Sequence, residues 1–286
     1  MAMRAELKGK IEQIAGQTIR AAQPLTGGKI SQTLRIDLND GESLVAKVGD
    51  GSHDLRIEGF MLRYLRSHSQ LPVPIVHHEA HDLLLMEYIA GESRLDDQSL
   101  RHLGLLLATC HQITSPAYGL DRDTLIGPLH QPNAPSPAWI PFFREQRLLY
   151  MVGVARESGR LPSGLEVRLQ TFADALASYL VEPDQPALIH GDMWRTNVLA
   201  RGGRVCGVID PALYFAHHEV ELAYMTLFDG VGEAFFSAYQ EQAAIDSDFF
   251  KVRRHIYNLY PLLVHVTIFG AKYLPPLHAA LERFGF

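Results

Sequence analysis

The stretch His190-Gly-Asp-Met-Trp-Arg-Thr-Asn197, with Ile209-Asp210-Pro211 a short distance beyond it, decides how this chain is read. Each polar cluster follows a short apolar run, ALI before His190 and VCGVI before Asp210, so each reads as a loop at a strand end. Alone, an Asp or Asn in such a loop is a turn or cap residue. Three of them at these spacings match the parts that phosphoryl transfer requires. That chemistry asks a protein for positioning more than for covalent help. A carboxylate at Asp192 beside a substrate hydroxyl would orient it and accept its proton. Asn197 stands at the distance from Asp192 found in kinase catalytic loops, where the Asn oxygen meets a metal. Asp210 adds a second hard oxygen, and the pair suits Mg²⁺ carried on the phosphates of ATP.

Partners for this loop are expected upstream. Lys47, in SLVAKV, resembles the V-A-I-K lysine that contacts nucleotide phosphates, and Glu58 on the next helical stretch is spaced to hold its ammonium. The alternatives are a surface lysine and a solvated glutamate. Gly27 and Gly28 offer a turn whose backbone N–H groups can approach phosphate, although GGKIS is not a full G-x-G-x-x-G. Met86-Glu87-Tyr88-Ile89 ends an apolar strand before Gly91, where a linker between lobes offers backbone groups to adenine. A buried strand end is the alternative. ATP is thus expected at Lys47, Glu58, Gly27, Gly28, Glu87, Tyr88 and Ile89, with Gly91 as a pivot.

The surrounding pattern predicts an α+β, bilobal, protein-kinase-like fold. Leu7, Ile11 and Ile14 predict a leading helix over 5–16. Strand-like stretches follow from 19 to 48, with turns at 26–28 and 39–41. A helix is predicted over 54–67, then a hairpin from PIVHHE and DLLLMEYI. Residues 1–89 are therefore expected to form an antiparallel β lobe carrying one inserted helix. Residues 90–286 are expected to form a mainly helical lobe, with helices over 100–111, 141–158 and 165–181 and a small hairpin at Gly202-Gly203. Between these, GPLHQPNAPSPAW (127–139) holds four prolines and reads as a surface loop.

Composition excludes several classes. The chain of 286 residues is 47% hydrophobic, enough for a sizeable core. A formal net charge of −6 argues against nucleic-acid binding, which needs clustered Lys and Arg. No apolar run reaches membrane-spanning length and the N-terminus carries no signal pattern, so a cytoplasmic protein is expected. Cys110 and Cys206, the two cysteines, suggest neither a disulfide framework nor zinc. His77, His78, Glu79 and His81 lack ligand spacing and read as a polar turn. The apolar helix 259–269 is interrupted by Pro261 and carries His265, read as a core histidine.

Together these residues resemble the fructosamine kinase family (fructosamine-3-kinase and ketosamine-3-kinase relatives), itself similar in fold to aminoglycoside phosphotransferases and protein kinases. HGDMWRTN is similar to the family's H-G-D-L-W-x-x-N, whose Trp separates the group from aminoglycoside and choline kinase relatives. IDPALYFAHHEVELAYMTLF is similar to D-P-A-x-Y-Y-G-H-x-E-x-D-L-A, and YNLYPLLVHVTIFGAKYL to Y-x-L-Y-x-L-L-N-H-x-x-x-F-G-x-x-Y. The resemblance covers nearly the whole chain. It implies Asp192 as catalytic base, Asn197 and Asp210 as Mg²⁺ ligands, and Lys47 with Glu58 as the ATP-positioning pair. Trp194 would face the sugar or its amine substituent, or else pack the loop, while His217 and Glu219 would line or brace the acceptor pocket.

The implied reaction is phosphorylation of a ketosamine (a fructosamine, ribulosamine or erythrulosamine) at its third-carbon hydroxyl. That phosphate makes the adduct unstable, hence an implied role in deglycation of a glycated amine. Departures from the family pattern are Lys29 in place of a cysteine, Thr196, Ala216 and Glu221 for Asp, and Val264 for the Asn before His265. The first removes a redox-responsive position, and Val264 bears on substrate choice. Two other readings remain: a kinase of the same fold for an aminoglycoside, choline or a sugar, and a non-catalytic nucleotide-binding scaffold. Intact Lys47, Asp192, Asn197 and Asp210 stand against the scaffold.

Overall fold

The computed structural model describes residues 4–25, 32–228 and 231–286. Gly27 and Gly28 lie outside the described residues. Helix α1 (Ala5–Ala15) precedes strands β1 (Ile19–Pro24), β2 (Gln32–Leu38) and β3 (Ser43–Val48). Helix α2 (Leu55–His68), β4 (Val76–Glu79) and β5 (Leu83–Glu87) follow, and the antiparallel sheet has the order β1-β2-β3-β5-β4. The strands form because their apolar residues alternate. Leu34, Ile36, Leu44, Ala46, Leu83 and Leu85 face one way and meet Ile11 of α1. Val45, Leu84 and Met86 face the other and join Leu55, Met61, Leu62 and Leu65 of α2 in the main core. Lys47 shares the parity of Val45, so it points toward α2.

Helix α2 opens on Asp54, whose side chain accepts the Arg56 N–H. Glu58 lies one and two turns before Leu62 and Leu65, on the buried stripe rather than the solvent face. The apolar period of α2 therefore delivers an acid to Lys47. His77, His78 and Glu79 belong to strand β4, not to a turn; the reversal is confined to 80–82.

The rest is mainly helical: α3 (Asp97–Cys110), α4 (Trp139–Phe143), α5 (Tyr150–Glu157), α6 (Ser163–Asp174), α7 (Glu219–Met225), α8 (Glu233–Gln240), α9 (Arg254–Tyr257), α10 (Leu259–Phe269) and α11 (Leu274–Glu282). Three two-stranded pieces are inserted: β6 (Thr124–Ile126) with β7 (Leu129–Gln131), β9 (Val198–Arg201) with β10 (Arg204–Val208), and β8 (Ala187–Ile189) with β11 (Tyr214–Ala216). Pro261 has no N–H for the Tyr257 carbonyl, and the helix breaks at Asn258 between α9 and α10. The helix expected over 165–181 ends at Asp174, and a 3₁₀ turn over Leu176–Ser178 then buries Leu176 and Leu180.

The proline-rich segment 127–139 is not a surface loop. It contains β7, and Gln131, Asn133 and Trp139 are all 0% exposed. A π-helical stretch, Arg144–Leu149, joins α4 to α5 and carries Arg147, also 0% exposed, into the core. Its guanidinium reaches Asn133 Oδ1 and the Pro132 carbonyl, both at 2.5 Å, and lies 3.8 Å from the Tyr214 ring centroid. Gln131 donates to the Ala212 carbonyl at 3.0 Å and accepts from the Tyr260 hydroxyl at 2.7 Å. Prolines punctuate this segment, but the buried amides and guanidinium hold it against the segment that runs from Asp210 into β11.

Breaking a buried charge from its partner is far more costly than losing a surface contact. Asn133→Ala is expected to lower unfolding free energy by about 3 kcal/mol in urea titration, whereas His130→Ala on the exposed side of the same hairpin changes it by less than about 1 kcal/mol.

Candidate active site

Strand β8 delivers the site's loop. His190 is fully buried, and its carbonyl accepts the Ala212 N–H at 2.8 Å, which ties the loop to the segment entering β11. Gly191 follows at φ +85°, a left-handed conformation that favours glycine, and a Cβ there would fall inside contact with the Ala212 carbonyl. This turn swings Asp192 outward. The chain then makes a 3₁₀ turn, Arg195–Asn197, whose Asn197 side chain folds back: Nδ2 donates to the Asp192 carbonyl and to Asp192 Oδ2, both at 2.9 Å. Asn197 and Asp210 are joined through the backbone, since Ile209 N–H donates to the Asn197 carbonyl at 3.0 Å.

Asp210 sits just beyond β10 at φ +58°, a strained setting for a non-glycine residue. There its Oδ1 meets Lys47 Nζ at 2.5 Å, and Glu58 Oε1 takes the same ammonium at 2.6 Å. Burial by itself would depress the lysine, but the two carboxylates outweigh it and hold its pKa above the ordinary value. Lys47, Glu58 and Asp210 thus form one bridge across the cleft, and Asn197 links Asp210 to Asp192.

Asp192 is half-buried, and enclosure by protein pushes its pKa up to about 7. The Tyr224 hydroxyl and Asn197 oppose that rise as donors, while the charges of Asp210 and Glu221 add to it. Glu221, 1% exposed on α7, accepts the Gly191 N–H at 2.7 Å and contacts His111 Nε2 at 2.9 Å. His111 Nδ1 in turn meets the Tyr239 hydroxyl at 2.8 Å. Burial works against the Glu221 charge, but His111, His190 and the Gly191 N–H hold its pKa below the usual carboxylate value. A buried carboxylate therefore fastens the loop from behind. Sequence reasoning singled out neither His111 nor Tyr224; an acid inside the wholly buried α7 was the available signal.

Other expected site residues fall at different depths. Glu87 and Tyr88 N–H groups donate to the Ile75 and Ser43 carbonyls at 2.8 and 3.2 Å, so those donors are occupied. Ile89 makes no backbone hydrogen bond among the described residues, and its side chain packs on Gly207. Gly91 is tightly enclosed, since a Cβ would lie 2.6 Å from Cys206 Sγ. Trp194 is half-buried, edge-on to Phe228 and His265 at centroid distances of 6.1 and 6.2 Å. His217 and Glu219 lie in the core at 4% and 3% exposure. Glu219 is held by two 2.7 Å bonds from Arg253, and the His217 ring packs on Trp139 and Tyr257.

A sheet lobe whose buried lysine reaches a helix glutamate and an aspartate beyond a loop hairpin defines a phosphotransferase of the protein-kinase-like class. The structure of an aminoglycoside phosphotransferase in a ternary complex with streptomycin and ATP shares this fold, with a TM-score of 0.65 at 16% identity over 99% of this chain and 97% of that one. The fructosamine kinase family model matches residues 3–284, and the chain belongs to that family. A candidate fructosamine-3-kinase from Thermobifida fusca superposes with a TM-score of 0.87 at 30% identity, covering 98% of both chains. A protein named as a probable ketoamine kinase in Vibrio parahaemolyticus is 31% identical over 268 residues, 91% of this chain and 90% of its own. Among the described residues, no helix is long and apolar enough to cross a membrane.

The raised pKa of Asp192 has a consequence for stability. Folding favours its protonated form, so its contribution is favourable below the unfolded value near 3.8 and is lost as pH rises through about 7. Asp192→Asn is therefore expected to raise the unfolding free energy at pH 8 by on the order of 2 kcal/mol after allowance for solvent screening, seen as a higher melting temperature. The gain should shrink as pH approaches 4, when melts are run in EDTA without nucleotide.

Proposed function

We propose that this member of the fructosamine kinase family is an ATP-dependent kinase that phosphorylates the 3-hydroxyl of a ketosamine, acting in deglycation in the cytoplasm. The observation that carries the reading is the run of contacts from Glu58 through Lys47 to Asp210, whose neighbour Ile209 donates its N–H to Asn197, and from Asn197 to Asp192. It supports both halves of a phosphoryl transfer, with a cation for phosphate at one end and a base for a hydroxyl at the other. A non-catalytic scaffold would need neither the strained Asp210 nor the destabilised Asp192.

The donor set suits Mg²⁺. Asn197 uses its Nδ2 on Asp192, which leaves the amide oxygen for a cation, and the Asp210 side chain is 41% exposed. No group of three His, Cys, Asp or Glu among the described residues forms a metal cage, so the remaining ligands would be phosphate oxygens and water. Mg²⁺ there would neutralise charge on the transferring phosphoryl group. Lys47 would hold the non-transferred phosphates, with Glu58 fixing its ammonium. Ile89 would offer its open backbone groups to adenine. Asp192 would orient the acceptor hydroxyl and take its proton as the new P–O bond forms and the bond to the departing diphosphate breaks. Trp194 would face the sugar, and His217 with Glu219 would brace the wall behind it. The boundary between lobes is proposed at 89/90.

The test is a panel of ribulosamines, erythrulosamines and fructosamines offered with Mg·ATP beside an aminoglycoside and choline, read by phosphate transfer. Ketosamines should react at the third-carbon hydroxyl; inert ketosamines beside a reactive alcohol would overturn the reading. Asp192→Asn should reduce kcat by about a thousandfold with nucleotide affinity retained, whereas Asp210→Asn should raise KM for Mg·ATP. In the free enzyme kcat/KM for the acceptor should fall with unit slope as pH drops below about 7, because the base must be deprotonated.

A further inference from the structure

Next to the reacting loop lies a cavity of about 60 Å³. Its described lining is apolar, from Leu95 and Leu100 around the start of α3, through Trp194, to Met225 at the end of α7 and Leu227, Phe228 and Val231 beyond it, with one exception. The exception is Arg195, the single charged residue among those that line it. Arg195 is exposed; its carbonyl accepts the Val198 N–H, but its side chain enters no ion pair or hydrogen bond among the described residues. Phe228 is turned toward Trp194 at φ +52°, a left-handed setting that a bulky side chain adopts only when its surroundings impose it. Arg195, three positions from Asp192, thus lines an apolar hollow with its side chain unpaired among the described residues.

On the ketosamine-kinase reading, on which this inference rests, the acceptor's chemistry makes that arrangement meaningful. In a ketosamine the amine nitrogen is only a few bonds from the third carbon, roughly 4 Å away. Whatever the nitrogen carries must therefore touch residues beside Asp192. We propose that the site prefers ketosamines of free α-amino acids with small branched apolar side chains. The α-carboxylate would pair with Arg195 and the side chain would enter the cavity behind Trp194. Volume and charge both favour this class. The hollow is small, and its Leu95, Leu100, Met225 and Leu227 walls suit a branched alkyl group better than a polar sugar ring. A glycated lysine side chain within a protein brings a long alkyl chain and no carboxylate near its nitrogen, so it uses neither feature.

Four acceptors made from one sugar test the proposal: the ketosamines of leucine, of glycine, of 3-methylbutylamine, which is leucine without its carboxylate, and of a glycated protein. The leucine adduct should exceed the glycine adduct in kcat/KM by about 10- to 100-fold, the range a few buried methylenes supply. It should exceed the 3-methylbutylamine adduct by about tenfold through one charge-assisted contact. Arg195→Gln should collapse the second ratio and leave the first, Arg195→Lys should retain part of the second, and Leu100→Phe should erode the first. The proposal is overturned if the ratios are near one, if Arg195→Gln slows every acceptor alike, or if the glycated protein is the best acceptor. Those outcomes leave the kinase reading intact. If no ketosamine is phosphorylated, the kinase reading fails and this inference with it.

Discussion

A buried ammonium shared by two carboxylates organises this molecule. Lys47 lies on the inner face of β3, 8% exposed, with Glu58 of α2 on one side and Asp210 on the other. Out of water, a lone ammonium would lose its proton or unfold its surroundings, and leaving either partner unmatched would cost several kcal/mol. Three separate parts of the chain must therefore meet at one point. The sheet parity that turns Lys47 inward, the helical stripe that presents Glu58 and the left-handed backbone at Asp210 all serve that meeting. Once it forms, Asp210 lies across the cleft from the sheet, and its backbone neighbour Ile209 holds Asn197.

The rest of the site is fastened from behind. Glu221 secures the Gly191 N–H and is itself secured by His111 and Tyr239, so α3, α7 and α8 all bear on one peptide group. Gln131 performs a similar service for Ala212, and Arg147 for the hairpin that carries Gln131. These buried polar contacts rigidify a loop that contains an unfavourable group, the enclosed carboxyl of Asp192. A site that sacrifices local stability needs such support, because the left-handed backbone at Asp210 and the enclosed carboxyl of Asp192 would otherwise relax into another geometry.

Much of this was legible in the residues, and the misreadings have physical causes. The Asp192, Asn197 and Asp210 spacing and the alternation around Lys47 are local patterns, and both led to one place. The proline-rich segment 127–139 misled because proline reports the absence of a regular ladder, not the presence of water. Its burial depends on Arg147, whose guanidinium replaces the backbone partners that a strand would have had. The pairing of β8 with β11 was invisible because three-residue strands carry too little alternation to register. Nothing near His111 marks it as a partner of α7.

The sequence by itself determined the reaction class and the polarity of the longer strands and helices. Those properties follow from spacing and periodicity, which act over a few residues. Only the tertiary structure decided that Lys47 reaches Asp210, 163 positions away, that Glu221 rather than solvent takes the Gly191 N–H, and that Arg195 lines an apolar hollow beside Trp194. Such pairings are set by which apolar surfaces bury one another. The hydrophobic effect brings the elements together without direction, and the polar groups left at their junctions then find the partners the packing provides.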